Sequence, residues 1–473
     1  MGQKIIIEPV TRIEGHAKVS IHLDDAGQVE KAIFHVNEFR GYEKFCEGRM
    51  FFEMPQITER ICGICPVSHH LASAKACDAI IGVKPPRPAN LLRELMHMGQ
   101  IIQSHSMHFF ELAGPDLLLG FDADPAIRNV VGIFLANPDL TVKAIKLRKF
   151  GQDIIARLGD RRIHPNFAVP GGANKALDVK TRDAILSQID EMIGYVQEGV
   201  VVIKGWMEAH QEDMEKFAVF ASNYLGMVRS DDALELYDGD IRLVDKKRQE
   251  VVRFDNRRYL EHIGERVEPW SYLKFPYYKK LGWPEGTYRV GPLGRLNAAQ
   301  KMATPLAQKE YAIFQQIRGG KVVEGTLYYH YARLIEDIYA LERARELLED
   351  PDILSTDIQT PGVVTNHEGV GAIEAPRGTL WHHYWVDENG QLEKVNLIVA
   401  TGNNNYAMSK AVDDVAKTYL NGQKITEGYL NRIEAAIRAY DPCLSCSTHA
   451  IGKMPLEVVV YDSSGNEVER VER

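Results

Sequence analysis

The sequence predicts a mainly α-helical protein with added β structure (α+β), built around a central bundle of long helices. Apolar residues recur at helical spacing over four long stretches, whereas period-two alternation is confined to short segments. No internal repeat or linker divides the chain. At 473 residues, with 45% hydrophobic and 26% charged residues, it holds enough apolar material for one large core. We therefore expect one interlocked domain over residues 1–449, with residues 450–473 as an extension.

The predicted helices follow the apolar spacing. The first begins after the proline-rich break at 85–88, and its stripe comprises Leu91, Leu95, Met98, Ile102, His105, Phe109 and Leu112. Three more are predicted near 180–210, 325–349 and 427–440. Amphipathic helices of this length must bury their apolar faces against one another, which is why a bundle is the expected packing.

Strands are predicted in two regions. Residues 4–37 begin with an apolar run and continue with the alternating segment 18–23. A β-rich insertion is predicted at about 233–290, where residues 234–237 and 241–244 alternate on either side of an Asp-Gly-Asp turn. We interpret this pattern as a hairpin inserted between helices.

Composition excludes several classes of protein. The net charge of −9 argues against a nucleic-acid-binding protein, which would carry a basic surplus. No apolar run reaches the ~20 residues that a membrane span needs. The first residues lack the apolar core and cleavage site of a secretory signal, so we expect a cytoplasmic protein. Six cysteines in 473 residues are not a disulfide scaffold.

Two C-x-x-C pairs stand at opposite ends of the chain, Cys62 with Cys65 and Cys443 with Cys446. Each is followed by a histidine three or four residues on. Thiolates are soft donors that suit zinc, iron–sulfur clusters and late transition metals. If the fold joins the two pairs, four sulfurs converge on one buried point. The spacing alone leaves a structural zinc site, an iron–sulfur cluster and a catalytic metal centre open.

The two pairs lie within longer motifs. These motifs, Arg60-x-Cys62-Gly63-x-Cys65-x-x-x-His69 and Asp441-Pro442-Cys443-x-x-Cys446-x-x-His449, resemble the two signature motifs of nickel–iron hydrogenase large subunits. Residues 9–16, 39–43, 108–116 and 374–378 resemble further motifs of the same family. The resemblance extends over residues 5–449 and is closest to the cytoplasmic, NAD-linked bidirectional subgroup.

The resemblance implies a nickel–iron centre. In the family all four thiolates bind nickel, and the second cysteine of each pair also bridges to iron. Here Cys65 and Cys446 would bridge, while Cys62 and Cys443 would bind nickel alone. The iron there carries carbon monoxide and two cyanides, which maturation enzymes install. Such a site implies reversible heterolytic cleavage of dihydrogen into protons and electrons.

Proton transfer is expected at two groups. The resemblance implies that Cys443 takes a proton and that Glu14 passes it outward. The resemblance makes Arg377 the second candidate and implies that it lies over the metals, held by Asp116 and Asp441. Arginine's very high pKa favours an orienting role. The sequence does not decide between cysteine and arginine as the first acceptor.

The resemblance also implies binding residues around the centre. Pro376 and Arg377 would contact one cyanide, and Thr401 the other. Glu43 and His449 match ligands of a magnesium-type divalent ion, a hard cation that suits carboxylate and water.

The remaining residues imply partners. Cys46 and Cys77 are too few to hold an iron–sulfur cluster, and no G-x-G-x-x-G follows a strand. We expect no iron–sulfur cluster and no NAD on this chain. Electrons would pass to an iron–sulfur small subunit and on to NAD through diaphorase subunits.

The C-terminal extension implies maturation. Related precursors lose such a tail to a dedicated endopeptidase after nickel-insertion proteins have acted, and we expect cleavage after His449. Two alternatives remain at this point. One is a non-catalytic homologue that resembles the quinone-site subunit of complex I, and the other is a structural zinc protein.

Overall fold

Helices joined by several small sheets form the framework, in a computed structural model that describes residues 4–39, 41–420 and 425–448 and the backbone of 457–461 and 467–472. The α-helices are Tyr42–Cys46 (α1), Met54–Thr58 (α2), Pro66–Ile80 (α3), Arg87–Ser106 (α4), Gly114–Leu119 (α5), Val130–Ala136 (α6), Pro138–Gly159 (α7), Val179–Leu186 (α8), Ile189–Ala209 (α9), Gln211–Lys216 (α10), Tyr259–His262 (α11), Gly291–Ala298 (α12), Pro305–Gln316 (α13), Tyr328–Glu349 (α14), Asn405–Leu420 (α15), Glu427–Arg438 (α16) and Leu444–Ser447 (α17). The strands are Lys4–Ile7 (β1), Lys18–Leu23 (β2), Val29–His35 (β3), Ala168–Val169 (β4), Gly172–Ala173 (β5), Asn223–Val228 (β6), Asp240–Val244 (β7), Glu250–Asp255 (β8), Ile263–Glu268 (β9), Ser271–Tyr278 (β10), Tyr288–Arg289 (β11), Glu368–Ala375 (β12), Gly378–Val386 (β13), Leu392–Ile398 (β14), Glu457–Tyr461 (β15) and Glu467–Glu472 (β16).

The predicted helix bundle is confirmed. Helix α4 packs along α7 and α14, and α14 also packs against α9. The predicted stripe residues Leu95, Met98 and Ile102 are buried in this contact. Past Ser106 the first helix continues as a π-helical segment, Met107–Ala113, and then as α5. In the described part of the chain, every helix is too short or too polar to span a bilayer.

Helix α7 was not predicted from the sequence, although it belongs to the bundle. Its stripe includes Ala144 and Gly151, small residues that weaken the apolar signal. Their size has a packing reason. A Cβ at Gly151 would lie 2.6 Å from the backbone nitrogen of Gln103 on α4, so the two helices approach closely only because this side chain is absent.

The predicted hairpin at 234–244 is wrong. Strand β7 pairs with β6 on one side and β8 on the other, in a four-stranded sheet of order β11-β6-β7-β8. Residues 234–237 are not a strand, because their backbone groups bond to side chains and to several separate segments rather than to one neighbouring strand. The Glu235 carboxylate accepts from the N–H groups of Leu236 and Tyr237, and Lys75 donates to the Tyr237 carbonyl. The region is nevertheless rich in strands, as expected.

A three-stranded antiparallel sheet, β12-β13-β14, supports the region where the cysteines meet. It was not predicted. Helix α3, which begins directly after Cys65, packs on β12 and β13. A Cβ at Gly371 of β12 would lie 2.0 Å from the Ala72 carbonyl oxygen, so the sheet needs glycine here to accept the helix. The apolar core that contains this contact runs from Ile7 to Cys446.

Candidate metal centre

The four cysteines of the two C-x-x-C pairs meet at one buried point, as predicted. The Cys62 and Cys443 sulfurs lie 3.3 Å apart and the Cys65 and Cys446 sulfurs 3.7 Å apart. The sulfurs of Cys443 and Cys446 are separated by 2.7 Å. All four sulfurs lie within 4.8 Å of one another, and all four residues are buried. The arrangement is a compact set of soft donors that could hold metal ions.

Each cysteine loop is held by residues distant in sequence. In the first loop, the Ile64 carbonyl accepts hydrogen bonds from Gln100 (3.0 Å) and Gln103 (2.8 Å), both on α4. In the second, the Cys443 N–H donates to the Thr401 hydroxyl at 2.9 Å. The short helix α17 then carries Cys446. The bundle and the C-terminal part of the chain thus place the two pairs independently.

The sulfurs differ in how readily they ionise. At Cys62, burial opposes ionisation, but hydrogen bonds from the other cysteines and the Arg377 charge outweigh it and lower the pKa well below the ordinary thiol value. Burial raises the pKa of Cys443 and Cys446 well above that value. Metal binding to this set would therefore expel protons, since a thiolate is the form that binds.

Arg377 lies at the tip of the hairpin that joins β12 to β13, in the turn Pro376-Arg377. Its Nε donates to the Asp441 carbonyl oxygen at 2.6 Å, and Nη2 donates to the Asp441 carboxylate at 3.0 Å. Nη1 is buried and has no partner among the described residues. Burial opposes the charge, but Asp441 and the neighbouring cysteines raise the pKa of Arg377 well above its ordinary value. A cationic donor therefore lies beside the cysteines with both N–H groups of Nη1 unused.

The expected contact between Arg377 and Asp116 is not formed. Asp116 instead accepts hydrogen bonds from Arg12 and Asn431 on one oxygen and from Arg438 on the other. Burial opposes ionisation, yet the two arginines hold the pKa of Asp116 below its ordinary value. Asp116 lies on α5, just beyond the π-helical segment and beside α16. The expectation failed because the buried cations of Arg12 and Arg438 require a carboxylate partner at this position.

Glu14 lies beside Cys443, as the resemblance implied. The two residues form an isolated parallel β-bridge, in which the Leu444 N–H donates to the Glu14 carbonyl oxygen at 3.1 Å. The Glu14 carboxylate accepts from the Ser445 N–H, also at 3.1 Å. The residue is half-buried. Glu14 is therefore held in place by the backbone on both sides of Cys443.

The remaining predicted residues divide into two groups. Thr401 accepts a hydrogen bond from the Cys443 N–H, and Pro376 precedes Arg377 in the hairpin turn. Glu43, on α1, accepts a hydrogen bond from the Leu397 N–H at 2.7 Å. Its expected partner at a divalent-ion site, His449, lies outside the described residues.

Sequence reasoning missed the residues that hold the Arg377 loop. Arg295 donates to Glu336 and Glu374, and all three side chains are completely buried. One signal was available, because Arg295 is the single charged residue in the otherwise uncharged segment 291–298. A charged side chain inside a buried apolar helix must find a partner.

Comparisons with known proteins agree with this site. The model of the nickel-dependent hydrogenase family matches residues 40–126 and 196–449, and the HoxL-like family model matches residues 4–39. The beta subunit of the NAD-reducing hydrogenase HoxS from Cupriavidus necator is 45% identical over 98% of both chains. The matching subunit of the vhu F420-non-reducing hydrogenase from Methanocaldococcus jannaschii is 47% identical over 88% of this chain and 99% of that one.

The chain belongs to the nickel-dependent hydrogenase family. A solved NAD+-reducing NiFe hydrogenase in its H2-reduced state has the same fold, with a TM-score of 0.92 and 45% identity over 94% of this chain and 99% of that one. The Ni-Fe-Se hydrogenase of D. vulgaris Hildenborough shares the fold at 24% identity, with a TM-score of 0.79 over 95% of this chain and 100% of that one. The chain is a catalytic large subunit of a nickel–iron hydrogenase, and the alternatives of a structural zinc protein and a complex I-type subunit are set aside.

The hydrogenase site fits a nickel–iron centre on its own geometry. Cys62, Cys65, Cys443 and Cys446 supply four soft donors within 4.8 Å of one another. The unpartnered, buried Nη1 of Arg377 is a donor that a ligand at the centre would satisfy. Both features suit a redox metal with further ligands better than a closed structural site.

Replacing Asp116 by asparagine should destabilise this hydrogenase, because the change leaves the buried charges of Arg12 and Arg438 without their shared carboxylate. We expect a loss of roughly 3–5 kcal/mol in the free energy of unfolding, measured by urea denaturation of the purified protein. Asp122→Asn is the control. Asp122 is exposed and pairs with Arg432, so about 1 kcal/mol or less should be lost.

A different result would support the contact between Asp116 and Arg377 that was expected from the sequence. If Asp116→Asn left stability unchanged and altered the site as Arg377→Lys does, then Asp116 would be supporting Arg377 after all.

Proposed function

We propose that this large subunit catalyses the reversible cleavage of dihydrogen within a complex that contains an iron–sulfur small subunit and diaphorase subunits that reduce NAD. The observation that carries the proposal is the convergence of four buried cysteine sulfurs within 4.8 Å, beside Arg377, whose buried Nη1 has no partner among the described residues. The metal centre, when bound, supplies the heterolytic splitting of dihydrogen. The roles of the chain's own residues follow from their positions.

Four cysteines would hold the centre. Cys62 and Cys443 would bind nickel alone, and Cys65 and Cys446 would bridge nickel and iron. Arg377 would remain charged, because Asp441 and the sulfurs stabilise its cation, and would bind cyanide and orient the substrate with Nη1. Thr401 accepts a hydrogen bond from the Cys443 N–H and would bind the second cyanide. Pro376 would help to enclose the first.

The proton would leave through Cys443 and Glu14. The bridge between their backbones keeps the carboxylate beside the cysteine loop, and the half-buried position of Glu14 places it toward the surface. A carboxyl group in this position can accept a proton from the thiol and release it outward.

Electrons would leave through another subunit. The NAD-reducing hydrogenase subunit from Cupriavidus necator, which this chain resembles over nearly its whole length, supports NAD as the final acceptor. Cys46 and Cys77 are buried away from the four-cysteine set and cannot complete a second cluster. Glu43 and His449 would bind a magnesium-type ion, and a cytoplasmic location would suit an NAD-linked complex.

Metal analysis and infrared spectroscopy of the purified complex test the proposal. Nickel and iron should be equimolar in the isolated large subunit, and infrared bands of carbon monoxide and cyanide should be present.

Cys443→Ser should abolish hydrogen oxidation, because a hydroxyl is a poor nickel ligand. Cys46→Ser is the matched control, since burial raises the pKa of Cys46 to about 12 and keeps it a neutral thiol. Zinc in place of nickel and iron, or full activity in Cys443→Ser, would contradict the proposal.

Replacing Glu14 by glutamine should slow proton transfer and leave the centre intact. The amide oxygen of glutamine can still accept the Ser445 N–H, so metal content should not change. Turnover, measured as hydrogen-dependent NAD reduction, should fall about 10²–10⁴-fold. Glu38→Gln alters an exposed carboxylate that pairs with His16 and should have no effect. Equal rates in both variants would remove Glu14 from the proton path.

Maturation is proposed to remove residues 450–473 after His449, once nickel-insertion proteins have loaded the centre. A dedicated endopeptidase would make the cut, leaving a domain of residues 1–449. The intact mass of the large subunit from active enzyme should lack the tail. An active enzyme that retains the full mass would show that the tail is kept.

A further inference from the structure

Arg295, on α12, uses all of its donors in the protein interior. Nε and Nη2 donate to the two oxygens of Glu336 at 2.7 and 2.6 Å. Nη1 donates to the Glu374 carboxylate at 2.8 Å. The two remaining N–H groups reach the carbonyl oxygens of Ala375 at 2.8 Å and Pro376 at 3.2 Å. A guanidinium group offers five N–H donors, so the side chain is saturated.

The two carboxylates that hold Arg295 are themselves fixed. Glu336, on α14, is also bonded to the Nε2 atom of His105 at 2.9 Å. Glu374, on β12, accepts from the Thr379 hydroxyl at 2.6 Å and from the Met227 N–H at 3.1 Å. The Arg295 network, defined as Arg295, Glu336 and Glu374, therefore connects the helix bundle with two sheets.

The carbonyl groups that Arg295 binds are those directly before Arg377. They belong to the Arg377 hairpin, defined here as residues 374–380, whose tip is closed by Gly378 at a φ of 136°. A Cβ at Gly378 would lie 2.2 Å from Cγ2 of Val290, the residue before α12. The hairpin is thus pressed against the start of the helix that carries Arg295, and Arg377 at its tip lies close enough to the cysteines to interact with their charges.

The Arg295 network is better explained by the atomic positions that it fixes than by a contribution to the free energy of unfolding. Burying one cation and two carboxylates costs several kcal/mol per ion in desolvation, and apolar side chains of similar volume are often equally stable. What a saturated guanidinium group provides is a fixed position for every group that it binds. Here that includes two consecutive backbone carbonyls of a turn.

We propose that Arg295 is a positioning residue for Arg377: it fixes the Ala375 and Pro376 carbonyls, and thereby the position of Arg377 and its unpartnered Nη1 beside the cysteines. The proposal rests on the role of Arg377 in the proposed function. Arg295 acts through the hairpin, since its five hydrogen bonds all go to the network and to these two carbonyls.

Arg295→Lys tests the proposal, because lysine keeps the charge but has three donors on one atom and cannot serve five acceptors. Arg93→Lys is the matched control. Arg93 is equally buried, and its hydrogen bonds go to Asp78 and to the carbonyls of Val169 and Gly172. Both variants are compared, in the purified complex, with wild type and with Arg377→Lys.

Two measurements are made on each protein. The first is amide hydrogen exchange over residues 374–380, followed by mass spectrometry, which does not depend on the metals. Arg295→Lys should exchange about ten-fold faster in this segment, since hydrogen bonds from a charged donor are lost, whereas Arg93→Lys should match wild type there. The second is the infrared spectrum. Arg295→Lys should displace the cyanide bands in the direction seen in Arg377→Lys, with unchanged nickel and iron, and lower kcat about 10²-fold.

The outcomes separate this proposal from the proposed function. Wild-type exchange over 374–380 together with wild-type bands in Arg295→Lys would overturn the positioning role. Absent carbon monoxide and cyanide bands in the wild-type protein would contradict the proposed function, and the exchange measurement would still decide whether Arg295 fixes the hairpin. If Arg295→Lys does not accumulate, Glu336→Gln keeps the guanidinium group and removes its charged partner, and the same two measurements decide in the same way.

Discussion

The structure depends on joining the two ends of the chain at the cysteine quartet. Cys62 and Cys443 are 381 residues apart, yet their sulfurs lie 3.3 Å from each other in a buried position. The entropy cost of closing a loop rises only slowly with its length, so this separation is not itself a large penalty. The chemical penalty is greater, because four metal-binding sulfurs are held within 4.8 Å of one another away from water. Metal binding offsets that penalty, which couples formation of the site to folding.

The same constraint explains how charge is distributed around the centre. Burying a charge is costly unless a partner neutralises it, and the arginines near the site follow this rule. Arg377 pairs with Asp441, and Arg12 and Arg438 share Asp116. Arg333 is the contrasting case, since within the described part of the chain it donates only to the backbone carbonyls of Tyr329 and Ala439. Burial lowers the pKa of Arg333 to about 10.

The sequence predicted the elements whose signal is local. Helices α4, α9, α14 and α16 were predicted because their apolar residues recur at helical spacing, and the cysteine quartet because the C-x-x-C motifs are specific. Elements that depend on close tertiary packing were missed. Helix α7 approaches α4 through Gly151, and β12 accepts α3 through Gly371, so the features that matter there are missing side chains.

The partners of buried charges were the least predictable feature, because they depend on the tertiary arrangement of distant segments. Asp116 lies on the segment expected from the family motif, but its partners come from α16 and the N-terminal loop rather than from the hairpin of Arg377. Arg295 could have been noticed as a charge in an uncharged helix, but neither Glu336 nor Glu374 could have been named as its partner. Local sequence shows that such a charge needs neutralising and does not show by which residue.

Two groups proposed to act on the substrate or its proton are held by different means, and the difference follows from side-chain length. Glu14 has a short side chain and is bonded through its own backbone to the segment of Cys443, so a β-bridge is sufficient to set its position. Arg377 has a long side chain with several rotatable bonds, and its guanidinium group can be aimed only if the backbone beneath it does not move. Asp441 holds the far end of that side chain, and the Arg295 network holds the near end at the preceding carbonyls. A long cationic side chain that must keep its Nη1 group free beside the centre therefore requires support at both ends. The fold supplies that support from the segment of Asp441 at one end and from α12, α14 and β12 at the other.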